Sequence, residues 1–230
     1  MGKLFDYEHP ILRFLSKISD LFILNLITLL LCLPIVTIGA SITAAHYTAL
    51  KLHRNESYVF QNFGKSFREN FKQSTIIWLI FVVFFVVEYL AFITLSNGSG
   101  DSAVAMQGWL LATAVFGLCT MLWAFPMQSK FVNPIGKTIY TAFIMTFKHL
   151  LRTILILALF VLPFLLPAEG FLVILTFGFS LPIYLSAIIY NKPFQKMEEQ
   201  VLRSLGQLGG HEGGDLLVRE TIKEINSMWD

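Results

Sequence analysis

Long apolar runs, almost free of charged residues, constrain this chain more than any other feature of its sequence. Ser74–Leu95, Gln107–Met127 and Phe171–Tyr190 are three such runs, and Thr153–Leu166 is a shorter one that extends backwards over Leu150. A helix of about 20 apolar residues crosses the roughly 30 Å of bilayer hydrocarbon. The composition agrees, because 55% of the residues are hydrophobic and 14% are charged, whereas soluble domains carry about 25% charged residues. The sequence therefore predicts an all-α, polytopic integral membrane protein.

A further run, Leu21–Leu50, contains no Asp, Glu, Lys or Arg and is too long for one upright helix and short for two. Pro34 removes a backbone donor and Gly39 loosens a helix, so the chain can break or reverse between them. Small residues follow the break and predict close helix packing: Gly39, Ala40, Ser41, Ala44 and Ala45.

The 17 Lys and Arg residues are distributed unevenly along the chain. None lies in 97–106 or in 167–170. Three precede the run that begins at Leu21, five lie within 51–72, four within 130–152, and five follow residue 190. Cytoplasmic segments hold the Lys/Arg excess, which places the two bare loops outside and the groups within 51–72, within 130–152 and after residue 190 inside.

The first three basic residues decide how often Leu21–Leu50 crosses. Two crossings, joined by a tight hairpin near Pro34–Gly39, keep all 17 basic residues inside, whereas one crossing puts the first three outside. We therefore predict a multi-pass protein of the plasma membrane with both termini in the cytoplasm. The predicted transmembrane domain is 1–208, with six crossings at about 18–33, 36–52, 74–95, 107–128, 150–166 and 171–190. Five crossings, the first a long, tilted and kinked helix, are the alternative.

Two basic segments, 64–76 and 136–154, resemble each other: each begins with Gly-Lys-Ser/Thr, contains a Phe-Lys pair and ends in Thr-Ile. Aromatic and basic residues recur in both at helical spacing, which predicts amphipathic helices along the anionic inner surface. A parallel internal repeat is one interpretation of this similarity. The other is that two unrelated segments resemble each other because both suit the membrane surface. The candidate contacts with the membrane surface or a partner are Lys65, Arg68, Lys72, Lys137, Lys148 and Arg152.

Three polar residues in or at the edge of the predicted spans are candidate intramembrane sites. Glu88 is the one charged residue well inside a span, where a carboxylate is costly unless it is paired, protonated or facing water. A functional carboxylate, a neutral Glu bonded to a neighbouring helix, and a Glu close enough to the outer boundary to reach water are all consistent with this position. Asp20 and Asn25 open the first run, and we expect Asp20 to form an ion pair with Lys17 or Arg13.

Motifs for catalysis, metal binding and phosphate binding are missing from the sequence. No nucleophile elbow, paired-carboxylate motif or HExxH occurs, and the five histidines have no Cys, Asp or Glu at metal-ligand spacing. The Gly-Lys pairs lack the P-loop glycine, because Val59 and Phe131 stand at its position. Cys32 and Cys119 lie inside apolar runs and are expected to be buried thiols. We predict no catalytic residue, no cofactor, no metal and no nucleic-acid partner.

The tail, 209–230, is predicted to be cytoplasmic, with a flexible joint at Gly209–Gly214 and a short amphipathic helix after Asp215.

Part of the chain resembles a known family. The resemblance lies in Leu33-Pro34-Ile35-Val36-Thr37-Ile38-Gly39-Ala40, then Phe60-x-x-Phe63 and Ser66-Phe67-Arg68-x-Asn70-Phe71-Lys72-Gln73, ahead of a span that contains Trp78. These residues resemble the YesL-like family of bacterial integral membrane proteins, which is classed as a domain of unknown function (number 624). The layout agrees over most of 4–195 and the residues agree over about 20–80. Members of that family tend to be encoded beside carbohydrate ABC-transporter and sensor genes.

The resemblance implies a non-enzymatic accessory or regulatory partner of a membrane transport system for carbohydrate uptake. Its partners would be the lipid bilayer and a permease or sensor. A small solute transporter with Glu88 in the substrate path is the alternative. A membrane enzyme would need a polar cluster near one membrane face, and the sequence does not supply a recognisable one.

Overall fold

A computed structural model describes residues 10–56, 58–96, 101–165 and 177–208, and these residues are almost entirely helical, without a β-strand. The predicted all-α fold is confirmed for this part of the chain. The chain divides into two units, Met1–Ile188 and Ile189–Asp230. The helices are α1 (Pro10–Cys32), α2 (Ile38–His53), α3 (Val59–Ser96), α4 (Asp101–Lys130), α5 (Ile135–Lys148), α6 (Leu150–Val161) and α7 (Ser180–Leu208), with 3-10 turns at Ile35–Thr37 and Leu162–Leu165.

Three of the described helices contain a stretch long and apolar enough to cross a membrane: Leu15–Cys32, Val59–Leu95 and Val104–Lys130. The pair α5 and α6 adds a fourth if both belong to one span, although the two helices are bent by 101° where they meet. The chain is thus a membrane-embedded protein with three to four candidate spans among its described residues. Six crossings are not confirmed. The predicted segment 171–190 begins outside the described residues, as does the whole tail 209–230.

The break predicted between Pro34 and Gly39 is present in the structure. Helix α1 ends at Cys32, Pro34 has extended backbone angles (φ −76°, ψ 125°), and α2 begins at Ile38 after one 3-10 turn. Because proline has no N–H, it cannot continue the hydrogen-bond ladder of α1. The Thr37 hydroxyl lies 2.8 Å from the Pro34 carbonyl oxygen and stabilises the turn.

Helix α2 lies in the interior of the protein against α3. A Cβ atom on Gly39 would lie 2.5 Å from the Ser74 carbonyl oxygen and 2.6 Å from the Trp78 Cβ atom, so only glycine permits this approach. The predicted close packing of small residues is therefore confirmed. All five of them are buried: Gly39, Ala40, Ser41, Ala44 and Ala45.

The contact at Gly39 fixes how far the α1–α2 hairpin reaches along α3. Since α2 and α3 are joined by a short turn and run antiparallel, the Pro34 turn lies close to the level of Ser74–Trp78. Helix α3 continues for 18 residues beyond Trp78, which is about 27 Å of helix. Two complete crossings would bring the turn to the far end of α3. The hairpin is therefore shorter than two complete crossings, and of its two helices only α1 contains a candidate span.

Helices α3 and α4 form an antiparallel pair with a constant register. Gln73 pairs with Gln128, Phe84 lies against Gly117, and Glu88 pairs with Thr113. Successive contact positions on α3 are eleven residues apart (73 to 84) and then four (84 to 88). The contact positions on α4 have the same spacings in the opposite direction (128 to 117, then 117 to 113). Eleven residues are close to three turns of a straight helix, so one face of each helix stays in contact with the other throughout.

The two basic segments that resemble each other fold differently, and the internal repeat is not confirmed. The first, 64–76, lies within α3, which continues from Val59 to Ser96 as one helix. The second, 136–154, is divided at His149 (φ −124°, ψ 43°), where α5 and α6 meet at 101°. Only α5 therefore has the separate amphipathic helix that the sequence predicted for both.

We predict that Gly39→Ala lowers the free energy of unfolding by about 1–3 kcal/mol, because the added methyl group overpacks the α2–α3 contact. Gly64→Ala on α3 is the matched control: a Cβ there meets nothing within 4 Å, and alanine stabilises a helix interior by up to about 1 kcal/mol. Denaturation of the purified protein in mild detergent measures both effects. Equal stability of Gly39→Ala and the parent chain would contradict the contact.

Candidate functional site

Glu88 is on α3, where it faces α4, and it is half-buried. The Thr113 hydroxyl lies 3.0 Å from Glu88 Oε1. The second carboxylate oxygen, Oε2, is buried and has no hydrogen-bond partner among the described residues. Glu88 is seven residues from Leu95, so it lies about 10 Å from the outer end of the predicted span. The structure thus gives this carboxyl group one neutral hydroxyl partner on one oxygen and none among the described residues on the other.

An apolar cavity of about 350 Å³ lies one helical turn beyond the Glu88–Thr113 pair, toward the C-terminal end of α3 and the N-terminal end of α4. Ala91 and Trp109 are the lining residues nearest in sequence to Glu88 and Thr113, on α3 and α4 respectively. The cavity wall is almost entirely hydrocarbon, so Glu88 is bordered by an apolar space rather than by a polar path. The complete lining is Ala91, Leu95, Ala105, Met106, Trp109 and Leu110.

A second group of polar side chains joins α3, α4 and α5, and Gln128 is its centre. The Gln128 amide nitrogen donates to Gln73 Oε1 (2.8 Å) and to Asn70 Oδ1 (3.4 Å). Gln128 Oε1 accepts a hydrogen bond from the Thr138 hydroxyl (3.2 Å). The Gln73 amide nitrogen donates to the backbone carbonyl of Asn133, in the turn between α4 and α5. We call Asn70, Gln73, Gln128 and Thr138 the amide cluster.

The amide cluster is suited to holding helices in place. Gln128 and Thr138 are buried, and every member is a neutral amide or hydroxyl whose donors and acceptors meet inside the protein. The cluster contains no carboxylate, imidazole or thiol that could transfer a proton or attack a substrate. Paired polar groups of this kind fix helix positions, because a buried amide left unpaired is costly. Sequence reasoning missed the cluster, although Asn70 and Gln73 are one turn apart on the same face of α3.

The C-terminal end of α2 holds an ion pair, buried on the Lys51 side and partly exposed on the Glu56 side, that the sequence did not predict. The Lys51 Nζ atom lies 2.8 Å from Glu56 Oε2, and the Lys51 side chain is only 2% exposed. The turn closes through Asn55, whose positive φ of 67° suits asparagine. The Glu56 N–H donates to the Lys51 carbonyl oxygen at 3.1 Å, so backbone and side chain both hold this turn. A cation at this end of a helix also offsets the helix dipole.

Asn25 has a structural position in the fold. Its Oδ1 atom accepts hydrogen bonds from the backbone N–H groups of Phe179 (3.0 Å) and Ser180 (3.1 Å) where α7 begins. The free N–H groups at the start of one helix are thereby satisfied by a side chain from another. Asp20 is half-buried on α1, and its ion pair with Lys17 or Arg13 stays a prediction.

The six candidate basic residues are divided among α3, α5 and α6. Lys65, Arg68 and Lys72 are exposed on α3 at spacings of three and four residues, so they share one face, which we call the α3 basic face. Lys137 and Lys148 are exposed on α5, eleven residues apart and so on one side of that helix. Arg152 is half-buried at the start of α6.

No group of three or more His, Cys, Asp or Glu side chains within 10–56, 58–96, 101–165 and 177–208 is close enough to hold a metal ion. Cys32 and Cys119 are free thiols; Cys119 is buried and Cys32 partly so.

Residues 21–92, which include the amide-cluster residues of α3 and all of α2, match the model of a known family. That family is DUF624, described as a protein of unknown function. The DUF624 match covers less than half of the chain and contains the region over which the sequence resemblance is specific. No curated protein matches the chain, and no solved structure matches it. The description of DUF624 supplies no activity and no functional residues.

We predict that Gln128→Leu lowers the free energy of unfolding by about 1–3 kcal/mol, because Gln73 and Thr138 each lose a buried partner. Gln61→Leu changes an exposed glutamine on α3 in the same way and should leave stability within about 0.5 kcal/mol of the parent. Thermal unfolding in detergent compares the two variants. A Gln128→Leu protein as stable as Gln61→Leu would show that the cluster does not hold the helices.

Proposed function

We propose that this chain is a non-enzymatic accessory or regulatory partner of a membrane transport system, and that the α3 basic face binds a permease or sensor. The observation that carries this proposal is the length of α3. Its 38 residues extend about 57 Å, whereas the hydrocarbon of a bilayer is about 30 Å thick. With Ser74–Leu95 in the hydrocarbon, residues 59–73 extend about 22 Å beyond it.

Distance from the membrane favours a protein as the partner of this face. Lys65 is nine residues before Ser74, or about 13 Å along a continuous helix. The headgroup layer on each side of the hydrocarbon is only about 5–8 Å thick. Lys65 and Arg68 therefore extend past the lipid headgroups, where acidic side chains of another protein are the available anions. Packing on α2 and the amide cluster hold this part of α3 in a fixed direction.

The second basic surface suits the bilayer itself. Helix α5 meets α6 at 101°, so if α6 crosses the membrane, α5 lies along its surface. Its exposed residues combine the cations Lys137 and Lys148 with aromatic side chains such as Tyr140 and Phe143. Each cation near an anionic leaflet contributes about 1 kcal/mol. This division of roles gives the chain one surface for lipid and one for a protein partner.

The location that we propose is the plasma membrane, with the basic surfaces and both termini in the cytoplasm. The support is the distribution of Lys and Arg, which are missing from 97–106 and 167–170. Carbohydrate uptake is the proposed process, on the strength of the resemblance to the YesL-like family. We infer further that the α1–α2 hairpin enters the membrane from the cytoplasmic side and returns to it. Its turn lies at the level of Ser74–Trp78, near the inner end of the α3 span, so Leu15–Cys32 does not reach the outer side although it is long and apolar enough to cross.

A specific observation also favours a second candidate function, a small solute transporter. Glu88 has a buried carboxylate oxygen with no hydrogen-bond partner among the described residues, which is a position where a cation or a proton could be held. The almost wholly apolar cavity beside it argues against a path for a polar solute. Solute flux through vesicles that contain the purified chain alone, lost in Glu88→Gln, would favour this function over the accessory role.

We predict that a triple variant, Lys65→Glu, Arg68→Glu and Lys72→Glu, reduces the amount of permease or sensor that co-purifies from native membranes by about tenfold or more, because like charges then face each other. Quantitative mass spectrometry of the tagged chain, purified in mild detergent, measures the ratio. Unchanged co-purification in the triple variant would contradict the proposed face.

Two control variants accompany this measurement. Lys137→Glu with Lys148→Glu reverses the α5 cations and should weaken membrane-surface contact while retaining the partner. Glu88→Gln should retain the partner as well, because Glu88 lies between α3 and α4, away from the α3 basic face. Loss of the partner in Glu88→Gln but not in the triple variant would place the partner site at Glu88, within the membrane, rather than on the α3 basic face.

A further inference from the structure

A second apolar cavity, of about 360 Å³, lies between α2, α4, α6 and the beginning of α7. Its volume is within the range of about 300–1,000 Å³ that is typical of small-molecule sites. The wall is almost entirely hydrocarbon, and the one residue with a titratable side chain is His46 on α2. The other lining residues are Ile42, Leu118, Met121, Leu122, Phe125, Leu157, Phe160, Val161, Phe179 and Ile183.

The cavity has a closed floor and an open rim. At the floor, Phe125 and Ile183 are 2% and 1% exposed. At the rim, Leu118 on α4 and Val161 on α6 are 40% and 43% exposed. The exposed rim is itself apolar, as are exposed side chains next to it, such as Val115 on α4 and Leu162 in the 3-10 turn after α6. The mouth therefore opens between lipid-exposed helix faces.

Depth agrees with an opening to hydrocarbon. The register of the α3–α4 pair sets Leu118–Phe125 of α4 beside the part of α3 from about 76 to 83. That part of α3 is inside the predicted span 74–95. The medium at the mouth is consequently lipid tails rather than water.

Neither water nor a void suits this space. A buried water needs two to four polar partners, and only His46 could supply one from the lining. An empty space of this size would deprive its lining of dispersion contacts. A flexible hydrocarbon chain that enters from the bilayer needs no polar partner and restores the dispersion contacts of the lining.

We propose that this cavity is a lipid site that holds one acyl chain of a membrane phospholipid, with the headgroup outside. The chain fits because the wall offers apolar contact on several helices and no array of donors for a phosphate or carboxylate. The site is separate from the α3 basic face and does not depend on the accessory role proposed above. A bound chain would pack between α2, α4 and α6 as an integral part of the fold.

The test uses the full chain in vesicles of phosphatidylglycerol that contain a small fraction of a phospholipid with a diazirine in the middle of one acyl chain. After irradiation, mass spectrometry maps the labelled residues. We expect labelling to concentrate on Met121, Leu122, Leu157 and Phe160, above that of the exposed α4 residue Leu111. Labelling of the lining no stronger than that of Leu111 would overturn the proposal.

Variants that fill the cavity make the test specific. Leu122→Trp should lower labelling of the remaining lining residues by about tenfold, because the volume that the chain needs is occupied. Leu111→Trp places the same side chain on an exposed position of the same helix and should leave labelling unchanged. Should Leu122→Trp fail to fold, Leu157→Phe fills the cavity from α6 with a smaller side chain. Undiminished labelling in a folded filling variant overturns the proposal.

A free fatty acid with the same diazirine distinguishes a chain site from a site for a charged headgroup. His46→Leu removes the imidazole and should retain labelling by the phospholipid, because the chain needs no polar partner. Labelling by the free fatty acid alone, lost in His46→Leu, would show that His46 recognises a carboxylate and would overturn the phospholipid assignment.

Discussion

The approach of Gly39 to the backbone of α3 is the contact on which the rest of the structure depends. Without a side chain at this position, α2 lies so close to Ser74 and Trp78 that an added Cβ would collide with both. Nearly all of α2 is buried as a result, and α1, α3 and α4 pack on it. In lipid, where apolar burial alone does not drive helices together, such close van der Waals packing is a main source of association. The same contact also sets the depth of the α1–α2 hairpin.

The sequence predicted the helices and the break between α1 and α2, but not how far the α1–α2 hairpin reaches along α3. Pro34 and Gly39 indicated where the chain would turn, because both act locally on the backbone. The charge distribution could not show how far the hairpin reaches, since a full double crossing and a hairpin that returns to the same side both keep every Lys and Arg inside. Likewise, nothing local ends α3 between Asn70 and Ser74, so the predicted surface helix continues into the span. The break at His149 could not be predicted from the sequence, because no Gly or Pro lies there.

Polar sites were predictable to different degrees. Glu88 is conspicuous because a charge in an apolar run is rare, and the structure gives it a partner on the neighbouring helix, as one of its interpretations expected. Asn25 was also singled out, but its bonds to Phe179 and Ser180 join residues more than 150 positions apart, and no short-range pattern reveals such a pair. The amide cluster escaped notice because Asn, Gln and Thr beside basic residues look like a solvated helix face. Only the α3–α4 register brings Gln73 and Gln128 together.

The depth of the α1–α2 hairpin is the claim on which the topology rests, and the exposure of its turn offers a direct measurement. Ile35 is 68% exposed at the tip of the hairpin, and Ile35→Cys can be made in a chain whose Cys32 and Cys119 are replaced by alanine. A membrane-impermeant maleimide, added to intact cells, should leave this cysteine unlabelled while it labels a cysteine at position 97 in the predicted outer loop. Labelling of position 35 from outside as efficient as that of position 97 would show that the hairpin crosses the membrane completely.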